Sequence, residues 1–429
     1  MSGIFGVFSK KRYKNVFSPL YSGLFALQHR GQESMGMSLL EYGKLSQIKG
    51  RGVITDNIKY DNIKELQGSV GLGHVRYPFE SETKELLPMP WLFNPGDGSK
   101  KTLIAVDGKF FNDVDVEDVV EIINSGTDEE LIEYVNNLDG AYSIIFIQEE
   151  KMVVIRDPKG IKSITVGHGC DFVAASSESC GLDAVGASSK ELRPGEIFIV
   201  EKDRERSIFA EEKSNTPCIF EYVYTARPDS VIGGVSVYDT RIKMGEILYE
   251  ECPVKADVVI GSPDSGLISA LGFSRASGIM YERAIVRNRY IGRTFILPTD
   301  NMRRKGIQIK LQPIKSIIKG KDIVLVDDSI VRGNTMRRVV EILRESGANS
   351  IHIRISSPPV IKSENTTFDI PSEDKLIAKG KTVEEIRKLI GCDSLGFISL
   401  EGLRRACGGR EYYERCFGGN DTLGESDVN

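Results

Sequence analysis

Residues 319–348 read KGKDIVLVDDSIVRGNTMRRVVEILRESGA, and few folds accept residue types in that order. Positions 323–326 are a short run of apolar, mostly β-branched side chains ending on two acids, Asp327 and Asp328. Such side chains are stiff at χ1 and suit a pleated strand. From 335 to 345 the rhythm becomes helical, with Met336, Val339, Val340 and Leu343 on one stripe and Gly347 placed to end the helix. Strand, loop and helix in this order predict a unit of an open parallel sheet, whose loops at the strands' carboxyl ends face the binding crevice. Here the loop carries Asp327, Asp328, Ser329, Ile330, Val331, Arg332, Gly333, Asn334 and Thr335. Two adjacent carboxylates accept hydrogen bonds from a vicinal diol or belong to the surroundings of a magnesium ion, while amides and hydroxyls from Ser329 to Thr335 wrap a terminal phosphate at a helix start. The spacing matches neither GxxxxGK[ST] nor GxGxxG, which excludes an ATP loop and a dinucleotide fingerprint. A surface turn with a helix cap has a similar composition, but the ordered combination favours a site for a phosphorylated polyol.

The neighbouring sequence has the same α/β texture. A helix is predicted over 241–249, a strand over 256–260 and a helix over 267–273, with the loop Gly261, Ser262, Pro263, Asp264, Ser265 and Gly266 between the last two. Taken alone that loop is an ordinary Pro-Asp turn; its place before the acid pair suits it to pyrophosphate. Arg287 to Thr294 is basic with a hinge at Gly292, and Arg303, Arg304, Lys305 and Lys310 extend the positive field or form a solvated charge run.

DIVLVDDSIVRGNTMRR resembles the phosphoribosyl pyrophosphate (PRPP) signature of type I phosphoribosyltransferases, and more narrowly the amidophosphoribosyltransferase family that begins purine synthesis. The family's usual loop is DDSIVRGTT, and Asn334 replaces the first threonine. The resemblance implies that Asp327 and Asp328 hold the ribose hydroxyls and the Mg²⁺ environment, that Ser329 to Thr335 hold the 5-phosphate, and that Ser265 contacts Mg²⁺. It also implies that Arg287, in place of the family's lysine, closes over pyrophosphate with Tyr290 and Arg293.

The first half reads differently. Strands are predicted at 4–8, 34–40, 69–75, 102–106, 141–147, 152–155 and 197–200, with helices at 116–123 and 129–138, followed by a charged connection over 201–215. Many short strands with few helices argue for sheets packed against helices, not repeated βαβ units. In order, SGIFGVF, LQHRGQESMG, GLGHVRY, DGKFFN, LDGAYSIIF, RDPKGIKSI and SESCGLDAVGA resemble the glutaminase half of the same family. The expected fold is therefore mixed α/β and α+β: an N-terminal Ntn-hydrolase-like αββα domain over 1–215, a type I phosphoribosyltransferase domain with a parallel sheet over 216–410, and a C-terminal tail over 411–429, polar and frayed from 420.

Departures from the family pattern collect where glutamine chemistry belongs. The family's N-terminal nucleophile is a cysteine whose own α-amine is the base; here the position is Ser2, whose oxygen is harder to deprotonate. Its oxyanion hole uses Asn-Gly, against Asp107-Gly108 here, and an ionised carboxylate cannot donate. Arg76 is followed by Tyr77, Pro78, Phe79 and Glu80 instead of Tyr-Ser-Thr, and the acid expected to hold the substrate amine falls near Gly126. An engineered serine would explain Ser2 but not Asp107, Phe79 and Gly126 together. The glutamine site is therefore expected to be vestigial. Some relatives hold a [4Fe–4S] cluster on four cysteines. This chain keeps Cys218 and Cys416, has Tyr413 three residues before the latter, and has no cysteine between Pro359 and Cys392, so no cluster is expected.

The balance of 56 basic against 61 acidic side chains is mildly acidic, whereas a duplex-binding surface usually shows a concentrated basic patch, which argues against nucleic acid as a partner. Seven scattered cysteines do not form a disulfide framework, and neither a secretory signal nor a membrane-spanning run is present, so a cytoplasmic protein without a membrane partner is expected. The expected reaction is Mg²⁺-dependent transfer of phosphoribosyl from PRPP to ammonia, giving 5-phosphoribosylamine and pyrophosphate without effective use of glutamine. The resemblance implies a homodimer or homotetramer, purine nucleotide regulators, and a separate glutaminase as an ammonia source. Two alternatives stay open: a non-catalytic PRPP- or nucleotide-binding subunit, and a transferase that uses another amine.

Overall fold

The structure is a computed structural model that describes residues 2–11, 14–77, 89–94, 100–112, 114–202, 204–288 and 311–421. In the first half two antiparallel sheets lie face to face. The seven-stranded sheet runs in the order Lys190–Glu191, Thr165–His168, Phe172–Ser176, Ser2–Ser9, Val70–Arg76, Ser34–Glu41, Lys44–Arg51. The six-stranded sheet runs Arg204–Phe209, Glu196–Glu201, Lys151–Arg156, Gly140–Gln148, Thr102–Phe110, Trp91–Phe93.

Period-two alternation along Ser2–Ser9 explains the layering. Ile4 and Phe8 enter the core between the sheets with Leu72, Leu103, Ala105 and Ile145, whereas Phe5 and Val7 meet Leu20 and Leu24 of the helix Phe17–Ala26 on the outer face. Gly6 points inward, where a Cβ would lie 2.8 Å from Ile145 Cγ2, so its missing side chain lets the sheets approach. The helices Val116–Ser125 and Asp128–Asn137 cover the other sheet through Val119, Ile123, Leu131 and Val135. The order helix, sheet, sheet, helix agrees with the αββα expectation.

One connection does not. The segment 201–215 contains the edge strand Arg204–Phe209, paired along its length with Glu196–Glu201. Its sequence RERSIF is charged because an edge strand leaves side chains and one row of backbone groups in water, where charge also discourages pairing with another chain.

In the second half the strands Val258–Gly261, Asp322–Asp327, Ser350–Ile355 and Ser394–Phe397 form a parallel sheet in that order. Ile323 and Leu325 face the helix Asn334–Glu345 through Met336, Val339, Val340 and Leu343, while Val324 and Val326 face Met244, Leu248, Ala270 and Phe273 of the helices Val237–Glu251 and Leu267–Ser277. A strand covered on both faces reads as a continuous apolar run, as 323–326 does. Residues from 411, set apart as a tail in the sequence, are core as far as Phe417: Tyr412, Tyr413, Cys416 and Phe417 are all buried. Adjacent aromatic side chains here bury area that the polar last residues conceal from a compositional reading.

Candidate functional site

The acid loop sits at the carboxyl end of an inner strand of the parallel sheet, as the pattern requires. Val326 N–H and C=O lie within the ladder beside Gly261, and Val326 C=O accepts from Ser262 N–H at 2.9 Å, bringing the 261–266 loop against the acid pair. Asp327 C=O accepts from Ser356 N–H at 2.9 Å on the other side. Both carboxylates are buried, 9% and 6% exposed for Asp327 and Asp328. Asp328 accepts from the hydroxyls of Ser265 at 2.5 Å and Ser329 at 2.7 Å, and Asp327 Oδ1 accepts from Asp328 N–H at 2.9 Å. Burial first, then the charge of Asp328, push the Asp327 carboxyl well above its usual range. Buried Arg241 feels the Asp328 charge, yet gives its own N–H groups to the carbonyls of Tyr222 at 2.8 Å and Ala226 at 2.9 Å. Two adjacent carboxylates, Asp328 held by two hydroxyls and Asp327 by a backbone N–H, are oxygen donors of the kind a hard cation takes, and Asp327, Asp328 and Ser265 are the residues that could hold Mg²⁺.

Gly333, at φ +78°, turns the loop into the helix Asn334–Glu345. A Cβ there would come 2.4 Å from Ile377 Cδ1, so the position suits glycine on both counts. Arg332, Asn334 and Thr335 are exposed beside the first-turn amides of the helix, which have no acceptors within it. Ile330 differs from the other proposed phosphate contacts: its side chain is buried in the core under the sheet, so only its backbone faces a ligand; Val331 is partly buried, and its C=O accepts from Ile377 N–H at 2.9 Å. Arg287 ends the short strand Ile285–Arg287 and pairs with Asp264 at 2.8 Å, at the rim of the same loop. Tyr290, Arg293, Arg303, Arg304, Lys305 and Lys310 lie outside the described residues.

The second site lies at the start of the chain. Strand register places Ser2 opposite Arg76, and Ser2 N–H donates to Asp107 Oδ1 at 3.2 Å from the facing sheet. Gly108 follows at φ +126°, where a Cβ would be 1.9 Å from Ala141 C=O. Asp107 is fully buried but not alone: Lys162 Nζ lies 3.0 Å from it and Arg30 Nη2 3.2 Å. Burial opposes its ionisation, but Lys162 and Arg30 outweigh burial and hold its carboxyl below the ordinary value. Arg30 is the centre of this cluster. It donates to Ser2 C=O at 2.7 Å, to Glu178 at 2.6 Å, and to both oxygens of Glu221 at 2.9 and 3.0 Å.

Glu178 in turn accepts from His29 at 2.7 Å, from Arg227 N–H at 2.9 Å and from the Ser230 hydroxyl at 2.7 Å, so the cluster spans both halves of the chain. The structure therefore brings Ser2, Arg76, Asp107 and Gly108 together. It does not bring Gly126, whose Cβ position is surrounded by Ile122 at the turn between two outer helices; Asp128 beyond it pairs with Arg206. Phe79 and Glu80 lie outside the described residues. The sequence assigns no role to Arg30, Lys162, Glu178 or Glu221; Arg30, Glu178 and Glu221 are charged residues in mostly uncharged stretches, which was the available signal, whereas Lys162 stands in the charged RDPKGIKSI and had none.

Comparison with known proteins finds a phosphoribosyl transferase domain over residues 244–357. An amidophosphoribosyltransferase of Methanocaldococcus jannaschii is 40% identical over 460 residues, covering 98% of this chain and 97% of its own. One from Bacillus subtilis is 36% identical, covering 96% and 90%. The solved structure of the B. subtilis glutamine PRPP amidotransferase, complexed with ADP and GMP, superposes with a TM-score of 0.88 at 35% identity over 99% of both chains. A structure described as the allosteric regulatory enzyme of purine biosynthesis gives 0.89 at 34% identity, covering 99% and 97%.

Proposed function

Because the chain belongs to the amidophosphoribosyltransferase family, we propose that it transfers the phosphoribosyl group of PRPP to ammonia without drawing that ammonia from glutamine. In the reaction the bond from ribose C1 to the pyrophosphate oxygen breaks, the ammonia nitrogen bonds to C1 from the opposite face, and one proton leaves the nitrogen. Asp327 and Asp328 accept hydrogen bonds from the ribose hydroxyls and fix the ring; the loop amides and hydroxyls from Ser329 to Thr335 hold the 5-phosphate. Arg287 leaves Asp264 to meet the pyrophosphate, joined by Tyr290 and Arg293. When bound, Mg²⁺ neutralises charge growing on the leaving pyrophosphate. The working division is a scaffold over 1–215 and a transferase from 216, with purine nucleotides as regulators.

The observation that carries the loss of glutamine use is the state of Asp107. Ion-paired to Lys162 and Arg30, it stays an acceptor, whereas a tetrahedral oxyanion needs a donor at that place. Losing one such donor costs roughly 3 kcal/mol of transition-state stabilisation, before any repulsion by a carboxylate is counted. Repairing the nucleophile alone leaves that deficit. Glutamate release from glutamine, with saturating PRPP and Mg²⁺, is expected to be negligible for the parent and for Ser2→Cys, and to appear first in Ser2→Cys with Asp107→Asn. Mass spectrometry of each sample establishes whether residue 2 is the exposed terminus. Turnover by Ser2→Cys alone at roughly 1 per second, ordinary for enzymes, would show serine to be the sole defect.

A further inference from the structure

The cysteine remnant has a second half that only the structure reveals. Three separate segments meet around Cys218: the junction 217–219, the stretch after Ser356–Pro359, and the C-terminal residues 412–417. Tyr413 N–H donates to Pro217 C=O at 3.1 Å and Ile219 N–H to Tyr413 C=O at 3.2 Å, while Ile361 N–H donates to Cys416 C=O at 2.9 Å. In their midst is Glu364, only 2% exposed. One of its oxygens accepts from the N–H groups of Thr366 at 2.7 Å and Thr367 at 3.0 Å, and the other accepts from the Tyr413 hydroxyl. The Cys218 thiol contacts Thr367 Oγ1 at 3.4 Å.

This donor set does not fit a [4Fe–4S] cluster. Two thiols are present instead of four, the carboxylate is already engaged by three donors, and the phenol stays protonated because burial and Glu364 raise its pKa. Burial likewise pushes the Cys218 thiol up to about 12, so it remains a thiol that is slow to ligate or oxidise. Among the described residues no group of three or more His, Cys, Asp or Glu side chains could hold a metal ion.

We propose that the Glu364–Tyr413 hydrogen bond performs in this chain the joining that a metal cluster at this place would perform, tying the C-terminal segment to the junction independently of iron and of redox state. The arrangement has a consequence for the junction itself: Cys218 C=O accepts from Glu221 N–H at 3.2 Å, so the same knot seats the turn that delivers Glu221 to Arg30.

Two variants test this in opposite directions. Protein produced with iron and sulfide and kept anaerobic is expected to carry iron well below one atom per chain, and its rate of proteolysis within 411–421 is expected to be the same before and after air or a chelator. Tyr413→Phe removes the donor but keeps the ring, and is expected to speed that cleavage roughly tenfold, because local opening sets the rate. Glu364→Cys combined with Tyr413→Cys places four thiols at the knot; it is expected to take up a cluster on reconstitution and to regain protection that is then lost to chelator. A cluster in the parent chain would overturn the proposal, as would Tyr413→Phe cleaved at the parent's rate or a double variant that binds no iron.

Discussion

Asn in place of Asp327 is expected to lower PRPP turnover by about a hundredfold or more, the scale on which a lost transition-state contact registers, while leaving the ligand-free protein at least as stable as the parent. The two effects have one cause. Asp327 is buried with Asp328 beside it, and burial and that neighbouring charge hold its pKa well above the usual carboxylate range. In the unfolded chain the same group ionises near its ordinary value, so between the two values the folded state keeps a proton that the unfolded state releases. Its contribution to stability is therefore full below the ordinary carboxylate pKa and declines as pH rises through the raised one. Asn keeps the shape and the acceptor for Asp328 N–H without the charge, so it removes that decline. Ribose hydroxyls and Mg²⁺ meet the carboxylate only in the bound state, which the amide cannot reproduce. Thermal melts across pH, with and without Mg²⁺ and PRPP, check both halves: the parent gains most from ligand at higher pH, and the variant gains little. A variant that turns over PRPP at the parent's rate, or melts far below it without ligand, contradicts the assignment.

Arg30→Met is expected to be the most damaging single change in the first half, at about 3–5 kcal/mol, the usual consequence of removing one partner from a buried ion pair. The guanidinium is 1% exposed and answers Asp107, Glu178 and Glu221 at once. Its loss leaves Lys162 near two of them and His29 near the third. The pH dependence separates this account from simple loss of packing. In the parent, burial works against the Glu178 and Asp107 carboxylates but their cationic neighbours hold both pKa values below the ordinary range, so their contribution is present above that range and is lost as pH falls. Without Arg30 burial is opposed chiefly by Lys162 at Asp107 and by His29 at Glu178, so both pKa values move up from where Arg30 holds them, and the variant's stability relative to the parent improves on acidification from about pH 7 toward 5. Urea melts at several pH values read this directly; a deficit independent of pH would make Arg30 a packing residue only.

The acid loop was legible because its residue types are ordered by a single element: a both-faces-buried strand, a crevice loop and an amphipathic helix leave a pattern within thirty residues. Asp327, Asp328 and Gly333 lie in that loop, and Ser265 reaches Asp328 from the separate 261–266 loop. The Arg30 cluster was not legible as a cluster. Its members come from positions 30, 107, 162, 178 and 221, which lie on three separate elements and two loops, and no local rhythm links them. The strand Arg204–Phe209 was hidden by edge-strand charge, and the closing aromatic residues by the polar terminus that follows them. Asp107 lies beside Ser2, as the motif order leads one to expect, whereas its ion pairs with Lys162 and Arg30 come from distant segments and leave no local signal. Ile330 was assigned to the ligand by its place in a motif, although its side chain belongs to the core.

Pyrophosphate release from PRPP and Mg²⁺ by the unmodified protein, measured in parallel with ammonium, with glutamine and with neither, bears most directly on the function proposed. Release that depends on ammonium, is not supported by glutamine, and is accompanied by a product with the mass of 5-phosphoribosylamine is the expected result. Release with glutamine at a rate matching ammonium would contradict the vestigial glutamine site, and tight PRPP binding with no release under any of the three conditions would make the chain a binding subunit instead of a transferase.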